Sequence, residues 1–485
     1  MKEGLYIQYP KNLNYKQLCR YKQPSFKYSV AKFQILVDFL YQRLAISQLP
    51  SDTQFPFIPL PATHMKKLVG RYQYYLKYLI EEKILERVEK PTGKDGKKAY
   101  HYRFTKTYQT KTRFDVINDD EILAAHKGYH QFLSADYQKY HNLVKWFDEI
   151  EIDREPALHR VSALVNKQLR HVQPVKEASA IYIWNNSQKR LIRHISHKSF
   201  FFEWDEYDFT LHTVLTSLSP ELRKFVSWNG QELKSINLSC APAFFASCLL
   251  RFSLGLDSAG TSSAWEQLSK SDFVQQVLKS YAGKKPSALI KEITCAHGGA
   301  KKASPSMIAE WQTFQQQVSG GTLYQYMHSV AQVAGLSSAN DQAALKEMVN
   351  AVMSGDVHCA SCAEGKAILK QSFPQLYQVI ETFEAKYLSF LIRLLKAIQA
   401  EIIFNRIAQR ITAEQPALPL FIVGPSIVTT SGNEAYVEQV MKEELQKAIG
   451  IVPYLTRSFW SEYLRMIPHK KRTRAHGPNV YAHQR

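Results

Sequence analysis

The run Leu420-Phe421-Ile422-Val423-Gly424-Pro425-Ser426-Ile427-Val428-Thr429-Thr430 constrains this chain more than any other stretch. Two β-branched, apolar segments flank a Gly-Pro break, so the run predicts a tight β-hairpin. A helical pattern from Asn433 to Ile449 follows at once, which makes the unit α+β. The turn itself is inert. Neither glycine nor proline has a side chain that holds a metal or moves a proton.

Charge says what such a unit meets. The 485 residues hold 62 Lys and Arg against 43 Asp and Glu, a formal net charge of +19. That excess favours a polyanion, nucleic acid before an anionic membrane. Aromatic residues could stack on bases, although most of the 27 Tyr and 25 Phe are expected in the core. Six cysteines in this length do not read as a disulfide framework. With no signal-peptide pattern at Met1–Tyr6 and no run of membrane-spanning length, a cytoplasmic protein with free thiols and no membrane partner is expected.

The length predicts two or three domains. Residues 1–28 are rich in Tyr and Lys without a helical period and read as a basic aromatic arm. Residues 29–110 read as a winged helix. A helical stripe runs from Tyr28 to Leu44, a proline-rich connection follows, two short helices meet at Gly70, and two strands enclose the basic turn Pro91–Lys98. Such a domain offers a helix and a lysine-rich wing to phosphate. Lys66, Lys67, Arg71, Lys94, Lys97 and Lys98 are its candidate contacts, and Lys470, Lys471 and Arg472 add a basic tail within residues 461–485. Residues 111–204 read as a helical, thumb-like connection, with Ile181–Trp184 as a strand candidate. Cys359 and Cys362 form a C-x-x-C that Cys295 and His297 could complete as a zinc site, but no second close pair supports it.

Residues 205–460 carry an ordered set of motifs: His212-Thr213, Leu222-Arg223, the turn Trp228-Asn229-Gly230, a buried strand with Ile236-Asn237 that breaks at Pro242, Gly321-Thr322-Leu323-Tyr324, a helix with Gln342 and Lys346 four apart, Phe373-Pro374 with Tyr377, and the opening hairpin. This order resembles family A DNA polymerases of the single-subunit type found in phages and bacterial mobile elements. The resemblance implies a right-hand palm and fingers behind the winged helix, with DNA favoured over RNA as partner and a nucleotide as possible ligand. It implies that Lys346 and Gln342, in place of the family's lysine and arginine, face an incoming triphosphate. It further implies that Arg223 contacts phosphate and that His212 positions template or primer.

The family's metal-binding aspartates belong to the strand and to the hairpin turn. Here Asn237 and Pro425 stand in their places, while Thr210 and Gln399 replace two further reactive residues. Two-metal catalysis needs carboxylates to hold hard dications. The expectation is therefore a nucleic-acid-binding pseudoenzyme with no cofactor and with nucleotidyl transfer lost or severely weakened. One alternative is an active polymerase that uses Mg²⁺ on displaced carboxylates, with Asp205, Asp208, Asp341 and Asp356 as candidates by proximity. The other is a basic replication or DNA-binding adaptor.

Overall fold

The computed structural model describes residues 5–43, 57–60, 62–92, 97–110, 112–124, 141–170, 178–198, 200, 202–206, 208–253, 264–282, 304–335, 345, 346, 348, 349, 352, 360–386 and 390–460. Over these residues the chain is mixed α+β with three buried apolar clusters.

The expected N-terminal arm is instead part of the first cluster. Strand β1 (Leu5–Pro10) buries Leu5, Ile7 and Tyr9, alternate residues on one face. The helix Tyr15–Tyr21 follows, its first turn capped by the Asn14 side chain, which accepts from the Gln17 N–H. The helix Val30–Arg43 fits the predicted stripe and buries Phe33, Leu36, Val37 and Leu40. After the short β2 (Ile58–Pro59) come the helices Ala62–Val69 and Tyr72–Glu81, hinged at Gly70 with φ +77°. Then come β3 (Leu85–Thr92) and β4 (Lys97–Phe104), and the three strands lie in the order β2-β4-β3. The last strand, β5 (Thr112–Ile117), pairs antiparallel with β1. The unit therefore runs past residue 110 and begins before residue 28.

Two readings of the next region are corrected. Ile181–Trp184 is not a strand: it lies in the helix Ala178–Ser196, whose buried Ile181, Trp184, Leu191, Ile192 and Ile195 recur at helical spacing. Nor is the region purely helical and connecting. Strand β6 (Ile150–Ile152) pairs with β9 (Val226–Trp228), so the central sheet reaches back across the expected boundary at 204. Between these strands lies a separate hairpin, β7 (Phe202–Asp205) and β8 (Thr210–Thr213).

The central sheet is built around β10 (Gln231–Leu238). Asn229 and Gly230, both with positive φ, turn β9 into β10, the backbone that an Asn-Gly hairpin favours. The predicted hairpin is β11 (Phe421–Val423) and β12 (Ser426–Thr430), with Gly424 at φ +63° in its turn. Strand β13 (Leu455–Phe459) lies along the other edge of β10, giving the order β11-β12-β10-β9-β6 with β13 beside β10. Ile236 and Leu238 pack in one cluster with Phe244 and Phe245 of the helix Ala241–Ser253 and with Val437, Val440 and Met441 of the helix Glu434–Ile449. Pro242 does not end an element. It lies in the first turn of the helix Ala241–Ser253, where a missing N–H costs nothing.

One buried ion pair joins the N-terminal unit to the rest. Arg190 of the helix Ala178–Ser196 donates to both carboxylate oxygens of Asp38, at 2.5 and 2.7 Å, and its Nε donates to His194 at 3.0 Å. Asp38 also accepts the Gln8 N–H of β1 at 2.7 Å. Among the described residues no helix is long and apolar enough to cross a membrane.

Candidate functional site

The pairing of β10 with β12 runs from Leu233 opposite Thr430 to Ile236 opposite Ile427. One step further sets Asn237 opposite Ser426, beside the hairpin turn. Asn237 and Pro425 accordingly line one cavity of about 560 Å³. Its other walls include Ser239, Cys240, Tyr324, Lys346 and Thr456. The structure thus brings together three residues that the sequence places far apart.

Among the described lining residues Lys346 is the one charged group, and none of them is a carboxylate. The Lys346 ammonium lies 5.9 Å from the ring centre of Tyr324. Cys240 turns the chain from β10 into the following helix with φ +52°, in the left-handed region. Burial pushes its thiol up to about 11, against the opposing pull of Lys346, the Leu323 N–H and the Tyr324 hydroxyl. At neutral pH it is a neutral wall rather than a thiolate. Gly321 also has positive φ, and a Cβ there would come 2.2 Å from Cδ1 of Tyr454, so only glycine fits between the cavity and that ring.

Asn237 is fully engaged within its own sheet. Its Oδ1 accepts from the Ser235 hydroxyl at 2.9 Å, and its Nδ2 donates to the Thr456 carbonyl at 3.3 Å and to Ser458 Oγ at 3.1 Å. The Mg²⁺ that the polymerase resemblance implies does not fit this donor set. The described lining residues offer an occupied amide, hydroxyls, a thiol and an ammonium, where a hard dication needs carboxylate oxygens.

The other candidates lie elsewhere. Arg223 does not line the cavity: its guanidinium lies 5.3 Å from the ring centre of Trp460, its Nε has no hydrogen-bond partner among the described residues, and burial pushes it down to about 10. His212 is half-buried on β8, beside Asp205 and Asp208. Lys66 and Lys67 are exposed on the helix Ala62–Val69, and Arg71 is exposed at the start of the next helix. Lys97 and Lys98 open β4. Gln342, Lys94, Lys470, Lys471 and Arg472 lie outside the described residues, as do Asp341, Asp356, Cys359, Cys295 and His297.

Sequence reasoning missed Thr456 and Ser458, and with them β13. A signal was present, since Leu455, Arg457 and Phe459 alternate with Thr456 and Ser458.

No protein-family model matches the chain. No curated protein matches it either. Among solved structures it is similar to the POL domain of Pol1 from M. smegmatis in complex with DNA primer-template and dNTP, at 12% identity and a TM-score of 0.28, over 74% of this chain and 76% of that one. At that TM-score the likeness decides neither fold nor chemistry.

Proposed function

We propose that this protein binds nucleic acid on a polymerase-like scaffold whose nucleotidyl-transfer site has lost its metal ligands. The observation that carries this reading is the charge at the edge of β10 and β12. Asn237 and Pro425 line a cavity in which Lys346 is the one charged residue among those described. Two dications need carboxylates there, whereas an ammonium favours an anion. A phosphate group, on a nucleotide or a nucleic-acid backbone, is the anion that suits a chain of net charge +19.

The N-terminal unit acts, on this reading, as a winged helix. Its strand order β2-β4-β3 behind a pair of short helices supports that, and exposed Lys66, Lys67 and Arg71 supply the backbone contacts. A helix beside a pair of antiparallel strands suits the open major groove of DNA better than the deep, narrow groove of duplex RNA. The strands and helices from β9 to β13 act as the palm, with Lys346 projecting from the fingers.

Primer extension on a primer-template with dNTPs and Mg²⁺ or Mn²⁺ tests the proposal. The expected result is retention of the primer-template in a binding assay with no extension of the primer. Robust template-dependent extension would sink it in favour of an active polymerase.

A further inference from the structure

The hairpin of β7 and β8 carries a second cluster of ligating side chains. Asp205 ends β7, Asp208 lies in the turn, and His212 returns on β8. One ligand atom from each lies within 4.8 Å of the other two, and all three residues are half-buried. His212 Nε2 is 3.9 Å from the Asp205 carboxylate.

Half-burial separates this trio from a solvated acidic face. Asp208 Oδ1 is sealed from solvent and has no hydrogen-bond partner among the described residues, a costly state for a carboxylate oxygen. The scaffold around the trio is firm. Trp204 stacks on Phe273 at 5.5 Å and meets the edge of Phe404 at 5.3 Å, while Phe209 lies 5.4 Å from Phe273. None of the three ligating residues lines the cavity of Asn237 and Pro425.

We propose that Asp205, Asp208 and His212 bind one divalent first-row transition-metal ion, with water completing its coordination. Two carboxylates balance the charge of a dication. The imidazole selects Mn²⁺, Zn²⁺ and their neighbours over Mg²⁺. The ion ties the turn to the returning strand and so fixes the hairpin that leads into Thr213.

Titrating the chelator-treated full chain with Mn²⁺ and with Zn²⁺ tests this, with calorimetry for affinity and Mn²⁺ electron paramagnetic resonance for nitrogen coupling from His212. One saturable site is expected, together with a rise in Tm on loading. Asp205→Asn and Asp208→Asn keep the shape of each side chain, and each is expected to weaken that site about tenfold or more, with an unchanged circular dichroism spectrum. Absence of saturable binding of both ions to the intact chain overturns the proposal, and so does binding that is undiminished in both variants. Neither result bears on primer-template binding, which is measured separately.

Discussion

A single amide at Asn237 is committed in three directions. It accepts from Ser235 and donates to Thr456 and to Ser458, and the Ser235 and Ser458 hydroxyls close the set at 2.7 Å. A carboxylate at this position could not donate to the Thr456 carbonyl. Asn237→Asp is therefore expected to destabilise the fold by about 1–3 kcal/mol, read from the shift in a urea unfolding curve. An unshifted curve would mean that the amide is dispensable. Lys346 makes the complementary prediction. If its ammonium holds a phosphate, Lys346→Ala weakens dNTP binding about 10- to 100-fold, measured by calorimetry in EDTA so that no metal contributes. Asn237 and Pro425 were legible in the sequence because a strand and a hairpin announce themselves locally. The acceptors of the Asn237 amide nitrogen were not, because they come from β13, more than 200 positions downstream.

At the scale of elements, the helix Glu434–Ile449 is anchored at its first residue to the central strand. Glu434 accepts from Lys234 and from the Gly432 N–H. Burial pushes the Glu434 carboxyl up, but Lys234 and the backbone N–H groups together outweigh it and hold it below the usual range. A carboxyl lowered by folding stabilises in full above its unfolded value, near ~4.3, and loses that contribution as pH falls through the folded value. The Tm gap between wild type and Glu434→Gln is expected to be widest near neutral pH and to narrow below about pH 4. Thermal melts across that window check it, and a gap independent of pH would remove Glu434 from the account. The elements that sequence misjudged share a physical cause. β1 shows no helical period because it pairs with β5, some hundred residues on, and no local pattern reports a distant partner. Ile181–Trp184 is apolar over a stretch too short to separate two periods, and only the continuation through Leu191, Ile192 and Ile195 marks it as helix.

Across the whole molecule, the pair of Arg190 and Asp38 is the most buried ionic contact described, with side chains 7% and 3% exposed. Breaking it from one side leaves a charge stranded in the interior. Arg190→Met is expected to cost about 3–5 kcal/mol, and adding Asp38→Leu to recover much of that loss. Equilibrium unfolding of the two single variants and the double variant decides it, since additive losses would mean that the residues act separately. The composition made a basic chain legible, yet this junction was invisible to it. Asp38 and Arg190 are each unremarkable within an amphipathic helix, and only the folded arrangement sets one against the other.

That junction has a consequence for recognition. Arg190 is gripped by Asp38 on one side and by His194 on the other, and Asp38 also takes the Gln8 N–H. On the proposed reading, Lys66 and Lys346 contact one strand from two parts that this pair joins, and Arg190→Met is expected to weaken binding of long oligonucleotides more than that of short ones, measured over a ladder of lengths.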